Sequence, residues 1–165
     1  MKKIGLISDT HSFLHPRVKH HFSNCDEIWH AGDIGNLALA DELAAFKPLR
    51  AVYGNIDGTE VRKVYPEHLR FTLEGVDVWM THIGGYPKRY DLRVRDEIKK
   101  NPPKLFICGH SHILKAMPDP QLGLLHINPG AAGKVGFHQV LTLMRFELEA
   151  GKIQNLEVIE LEKRT

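Results

Sequence analysis

Five short apolar runs in this chain each break off at a polar or glycine residue, and that punctuation limits the fold more than any other feature. Ile4–Ile7 runs into Ser8-Asp9-Thr10-His11, Glu27–Ala31 into Gly32-Asp33, and Leu49–Tyr53 into Gly54-Asn55-Ile56-Asp57. Val76–Thr81 meets His82, and Leu105–Cys108 meets Gly109-His110-Ser111-His112. Short runs with Val, Ile and aromatic content, closed by glycine, read as strands rather than helices.

Helical patterns separate several of them. Asn36 can cap Leu37–Phe46, whose leucines and alanines recur at helical spacing until Pro48 stops it. Asp91–Lys100 is amphipathic through Leu92, Val94 and Ile98 and ends at Asn101-Pro102-Pro103, and a shorter helix is expected over His15–Phe22. In the last third, Ile113–Met117, Leu124–Asn128, Gln139–Leu148 and Ile153–Leu161 read as strands joined by turns. The chain is therefore α/β, with a βαβ-like first part feeding a strand-rich second part. At 165 residues, with no linker or repeat, it is expected to form one domain over 1–165.

Charge and cysteine content exclude several function classes. A net charge of +2, with no basic block, gives no electrostatic footprint for nucleic acid or a membrane surface. Cys25 and Cys108 imply no disulfide framework and suit a reducing compartment. The basic start MKK is followed by an apolar stretch that breaks at Ser8-Asp9, too early for a signal sequence. No segment reaches the ~20 apolar residues of a membrane span, so the expected setting is the cytoplasm. Trp29 and Trp79 fall inside strands and read as core.

In open α/β sheets, ligands bind beyond the carboxyl ends of the strands. Here those ends carry Asp9 and His11, then Asp33, Asn55, His82, and finally His110 and His112. Carboxylate, imidazole and carboxamide suit a divalent ion such as Mn2+, Fe2+, Zn2+ or Ni2+, and the lack of thiolate argues against a soft-metal site. In extended chain, residues two apart point to one side, so Asp9/His11 and His110/His112 are each expected to present two ligands inward. Seven such ligands exceed what one ion takes from a site with open positions, and fit two ions sharing a carboxylate.

The order Asp9-x-His11, Gly32-Asp33, Gly54-Asn55-x-Asp57, His82, Gly109-His110-x-His112 resembles the calcineurin-like metallophosphoesterase superfamily. With Asn128-Pro129-Gly130 following, the chain looks most like the family's small YfcE-like single-domain phosphodiesterases. The resemblance implies a four-layer α/β/β/α sandwich of two mixed sheets. It also implies that Asp9, His11 and His112 hold one metal and Asn55, His82 and His110 the other, with Asp33 bridging. The implied cofactor is a pair of divalent ions, Mn2+ first, with Zn2+, Fe2+, Ni2+ or Co2+ as alternatives. The implied reaction is attack on a small phosphate ester by a metal-bridging hydroxide, with Asn55, Asp57 and His82 as catalytic candidates.

Two departures from the family pattern shape the expected activity. Larger relatives carry a histidine directly after the motif asparagine, where it can protonate the leaving group; this chain has Ile56, and Asp57 is the nearest substitute. Esters with good leaving groups, diesters above all, are therefore expected to outrun alkyl monoesters. The family often has glycine after the His82 position, whereas here Ile83 precedes Gly84-Gly85, which changes the substrate pocket. Lys88 and Arg89 follow closely, either as phosphate contacts or as a solvated face. The alternative function is a protein-binding scaffold of the kind the same fold provides in the retromer complex. A homodimer is compatible with family habit, and nucleic acid is not expected as a partner.

Overall fold

Both faces of the central strands are apolar, so each sheet must be covered twice. The structure, a computed structural model, describes residues 1–164. In chain order the elements are β1 (Lys2–Ile7), α1 (Val18–His21), β2 (Glu27–His30), α2 (Leu37–Phe46), β3 (Leu49–Ala51), α3 (Thr59–Val64), β4 (His68–Leu73) and β5 (Val76–Thr81). There follow β6 (Gly85–Tyr86), β7 (Arg89–Tyr90), α4 (Arg95–Lys100), β8 (Leu105–Ile107), β9 (Lys115–Asp119), β10 (Leu124–Asn128), β11 (Val140–Glu149) and β12 (Lys152–Lys163).

One five-stranded sheet has the order β12-β11-β1-β2-β3, the other β4-β5-β8-β10-β9. Each has a parallel centre, β1-β2-β3 and β5-β8-β10, and antiparallel flanks. The two sheets pack face to face over Ile4, Leu6, Trp29, Val78, Met80, Ile107 and Phe146. The outer face of the first sheet buries Ile7, Ile28 and Leu143 against Val18, Leu39 and Leu43 of α1 and α2. The outer face of the second buries Trp79 and Phe106 against Val94 and Ile98 beside and within α4. This is the four-layer α/β/β/α sandwich of two mixed sheets. The period-2 alternation assigns the layers: Leu105 and Ile107 enter the inter-sheet core while Phe106 enters the outer one.

Trp29 and Trp79 are core, as their strand positions required. Trp29 meets Phe71 and Phe146 edge-on at 5.1 and 5.6 Å and donates its Nε1–H to Glu27 Oε1. The Asn36 side chain accepts from Leu39 N at 2.9 Å, the cap that starts α2. The helix expected over Asp91–Lys100 begins only at Arg95, because Asp91 Oδ1 accepts from Arg93 N and holds a turn there. Three features escaped the sequence reading: α3, the β6–β7 hairpin and β4. The last is an edge strand whose exposed and half-buried residues alternate one by one, leaving no apolar run to see. No helix among the described residues is long and apolar enough to cross a membrane.

Candidate metal centre

All six central parallel strands point their carboxyl ends to one edge of the sandwich, and five of the loops that leave them carry the seven predicted ligands. The loops do not present them by extended alternation. Asp9, His11, Asp33, His110 and His112 all have positive φ, between 45° and 71°, so the left-handed region supplies the turns instead. Tight loops, and not the extended alternation expected from the Asp9/His11 and His110/His112 spacing, aim these side chains. Left-handed backbone at non-glycine residues costs of order 1 kcal/mol or more each, and it persists where surrounding structure over-determines it. Here that structure is backbone pairing: His11 N donates to Asp33 O and Asp9 N to Gly32 O, both at 3.0 Å.

Each of the two buried carboxylates has one oxygen fixed by the protein and one left for the centre. Asp9 Oδ2 accepts from Ser8 Oγ at 2.7 Å and from His110 N at 3.1 Å. Its Oδ1 lies 3.1, 3.8 and 3.9 Å from Nε2 of His112, His82 and His11. Asp33 Oδ1 accepts from Ile56 N, while its Oδ2 lies 3.4 Å from His11 Nε2 and 3.2 Å from His82 Nε2. On the far side His110 Nδ1 and Asn55 Oδ1 are 3.0 Å apart, and the His82 and His110 rings meet at 5.3 Å. The seven residues are therefore brought together. Asp33 Oδ2 lies between His11, the neighbour of His112, and His82, the neighbour of His110.

The donor chemistry fits metal ions. Asp9, His11 and His112 form one cluster of donor atoms within 4.8 Å of one another, and Asp9, Asp33 and His82 form a second. Nε2 of His11 and of His82 are buried without a hydrogen-bond partner, an arrangement that a polar interior does not keep without use. His82 Nδ1 donates to Ala31 O at 2.7 Å, which orients the ring and leaves Nε2 as the inward atom. Burial lowers the His82 pKa, but the adjacent Asp33 carboxylate, 3.2 Å from Nε2, and the Asp9 charge outweigh it and raise the net value. Burial likewise raises Asp33, and His82, with Ile56 N, pulls its carboxyl below the usual range. Desolvation and the His82 charge lower His110.

A ring of supporting residues holds the loops. Buried His30 accepts from Gly32 N on Nδ1, so its Nε2–H faces Thr10 Oγ1 at 3.0 Å; burial pushes its pKa to about 4 and keeps it neutral. Asn128 donates to Gly109 O and Ser111 Oγ and accepts from Gly130 N, so this turn positions the Gly109–His112 loop. Tyr86 donates to the same Ser111 hydroxyl. Asp57 is buried, and its carboxylate accepts from Gly35 N and Gly54 N at 2.8 Å and from Ile34 N at 3.1 Å. It ties the Asp33 and Asn55 loops together. Gly54 allows the close approach, because a Cβ there would overlap Asp33 Oδ1 and the Asp33 backbone nitrogen.

Three clefts open from this centre. The first, about 200 Å³, is lined by Tyr53, Asn55, Arg62, Glu67, His82, Ile83 and Arg93. The second, about 370 Å³, shares Asn55, Ile83 and Arg93 and adds Tyr86, Asp91 and His110. The third, about 480 Å³, lies beside His112 and His138 and includes exposed Ile113 and Phe137. Arg62, Arg93, Tyr86 and His138 were not legible as site residues, since each comes from an element or loop that joins the centre only through tertiary packing. His138 packs on His112 with ring centroids 5.1 Å apart. Lys88 and Arg89, in contrast, line a separate groove with Arg95 and Lys99 that none of the predicted ligands enters.

Comparison with known proteins agrees with this geometry. The family model for the calcineurin-like phosphoesterase superfamily domain matches residues 1–151. A protein of Methanocaldococcus jannaschii named as a probable metallophosphoesterase is 32% identical, over 78% of this chain and 67% of its own. Among solved structures, one described as a novel archaeal phosphodiesterase superposes with a TM-score of 0.75, at 22% identity, over 95% of this chain and 99% of its own. Vps29 of Entamoeba histolytica, solved with Zn2+, superposes with a TM-score of 0.72 at 16% identity, over 97% and 99% of the two chains. At these identities the two structures establish likeness of fold.

Proposed function

Because the chain belongs to the calcineurin-like phosphoesterase superfamily, we propose that it hydrolyses phosphate esters with two divalent ions, taking diesters with good leaving groups in preference to alkyl monoesters. The observation that carries this reading is the pair of partnerless, buried Nε2 atoms of His11 and His82 on either side of Asp33 Oδ2. Asp9, His11 and His112 would hold one ion, Asn55, His82 and His110 the other, with Asp33 shared. When bound, such ions supply Lewis acidity at phosphoryl oxygens and make water a nucleophile near neutral pH. Mn2+ is the first candidate, with Zn2+, Fe2+, Ni2+ and Co2+ behind it, since the donors are carboxylate, imidazole and carboxamide without thiolate.

The protein's own part is positioning. The two fixed carboxylate oxygens and the Ala31 carbonyl hold Asp9, Asp33 and His82 before any ligand arrives. The Asn55 side chain is oriented by His110, and its amide nitrogen is free to donate to a phosphoryl oxygen. None of Ile56, Asp57 and Asp91 is suited to protonate the leaving group. Ile56 cannot move a proton, and the Asp57 carboxylate is turned to three backbone donors. Burial raises Asp91, but its bonds to Arg93 bring it below the usual range, so it stays ionised. Water must then protonate the leaving group, which favours aryl over alkyl leaving groups. The apolar third cleft, with Ile113 and Phe137, gives the aryl arm of a diester a surface to lie on.

The test is metal content together with turnover of an aryl phosphodiester and an alkyl phosphomonoester in Mn2+, for wild type and Asp33→Ala. The proposal expects metal uptake, faster diester turnover, and loss of both in the variant. Faster alkyl monoester hydrolysis would refute the substrate preference, and an Asp33→Ala protein with full metal and activity would refute the centre. Wild type that binds metal but hydrolyses neither would move the chain to the scaffold reading.

A further inference from the structure

The clefts on the Asn55 side differ in chemistry from the one beside His112. Arg62 lines the first cleft with its guanidinium already tethered: Nε donates to Asp57 O at 2.6 Å, Nη2 to Asn55 O at 3.3 Å, and Cζ lies 4.5 Å from the Tyr53 ring centroid. Arg93 lines both clefts that meet at Asn55, tethered through Nη1 to Asp91 Oδ1 at 2.9 Å. Each guanidinium therefore has donors left over. Ile83 is also common to both clefts, and His82 and Asn55 line the first cleft together with the two arginines. Glu67 is the carboxylate of the first cleft, and it already accepts from Tyr53 OH at 3.4 Å. A volume of about 200 Å³ is enough for one phosphate-sized group.

We infer that Arg62 and Arg93 form a second anion subsite, so that the substrate is a phosphate ester carrying a second phosphate on the Asn55 side of the reacting phosphorus. Planar guanidinia that are already oriented bind phosphate bidentately and lose little conformational freedom in doing so. Their distribution also gives the site a direction. The anionic arm lies toward Arg62 and Arg93, and the apolar or aryl arm toward Ile113 and Phe137. This deepens the phosphoesterase reading and rests on it.

Three aryl diesters that share a 4-nitrophenyl leaving group test the inference: 2-methoxyethyl 4-nitrophenyl phosphate, its carboxymethyl counterpart, and the 2-(phosphonooxy)ethyl ester. Wild type should show kcat/KM for the phosphorylated ester at least about tenfold above the methoxy one, expressed mainly in KM, and Arg93→Gln should bring that ratio toward one. Arg93→Lys, which keeps the charge but loses the fork, should fall between. Ethylene glycol bisphosphate titrated calorimetrically into metal-free protein should bind wild type at least about tenfold tighter than Arg93→Gln. A ratio near one in wild type, a ratio untouched by Arg93→Gln, or equal calorimetric affinities would overturn the second-phosphate subsite. The carboxymethyl ester matching the phosphorylated one would replace phosphate by a general anion preference and overturn the stated class. Failure of all three esters, with probe binding intact, would instead strike the phosphoesterase reading.

Discussion

Replacing Asp57 separates two roles that its place in the Gly54-Asn55-Ile56-Asp57 motif leaves open, proton donor and loop anchor. The carboxylate is buried; Oδ2 takes Ile34 N and Gly54 N, and Oδ1 takes Gly35 N. Asp57→Asn keeps the shape and one acceptor oxygen, so two of these donors can be kept while the third faces an NH2 group. Stranding one buried N–H costs about 1–3 kcal/mol, and losing charge assistance from the others adds to it, for a total of about 2–3 kcal/mol. Asp57→Ala strands all three and should cost about 4–5 kcal/mol, near the upper end for a point substitution. In a chain of this length each kcal/mol is worth ~2–4 °C in Tm, so Asp57→Asn should melt about 5–10 °C lower. The assay is thermal unfolding of metal-free protein, with aryl diester turnover measured well below both Tm values. The anchor role expects a large fall in Tm and turnover that tracks reduced metal affinity, recoverable by excess Mn2+. A Tm shift below about 2 °C, with turnover lost at saturating metal, would refute it and make Asp57 the proton donor.

Three further outcomes follow from the same geometry. His126 is buried between Tyr86 and Phe106, and burial, with Lys115, depresses its pKa to about 4. The unfolded chain takes up this proton near pH 6.5, so stability from neutral His126 is full above that value and falls as pH drops toward 4, by as much as ~3 kcal/mol. The urea midpoint of metal-free wild type should therefore fall relative to that of His126→Leu between pH 7 and pH 4.5, and parallel curves would refute the assignment. Gly136→Ala drives a Cβ into His112 Nδ1 at a φ of +123°, so metal affinity measured by calorimetry should fall at least about tenfold while the global Tm of metal-free protein moves by only a few degrees. Asn128→Ala removes both donors to the Gly109–His112 loop; amide exchange of His110 and Ser111 should rise at least about tenfold, with exchange in β8 unchanged.

The strand-and-loop grammar and the set of candidate donors are legible in local pattern. Apolar runs closed by Asp, Asn, His or Gly are local signals, and β1, β2, β5 and β8 begin or end within a residue or two of where those runs place them. Membership of an ordered motif set likewise needs no coordinates, which is why seven dispersed residues could be read as one centre. Tertiary structure decided what local pattern cannot encode. The left-handed turns at Asp9 and Asp33 depend on backbone partners more than twenty residues away, such as Gly32 O for Asp9 N, and the one at His110 on the Asp9 carboxylate. Edge strand β4 is visible only through its antiparallel pairing with β5. Arg62 and Arg93 enter the site because α3 and the turn before α4 pack beside the Asn55 and His82 loops, and no spacing in the chain announces it. Local propensity thus chose the donors, while long-range packing set their aim and supplied the cations around them.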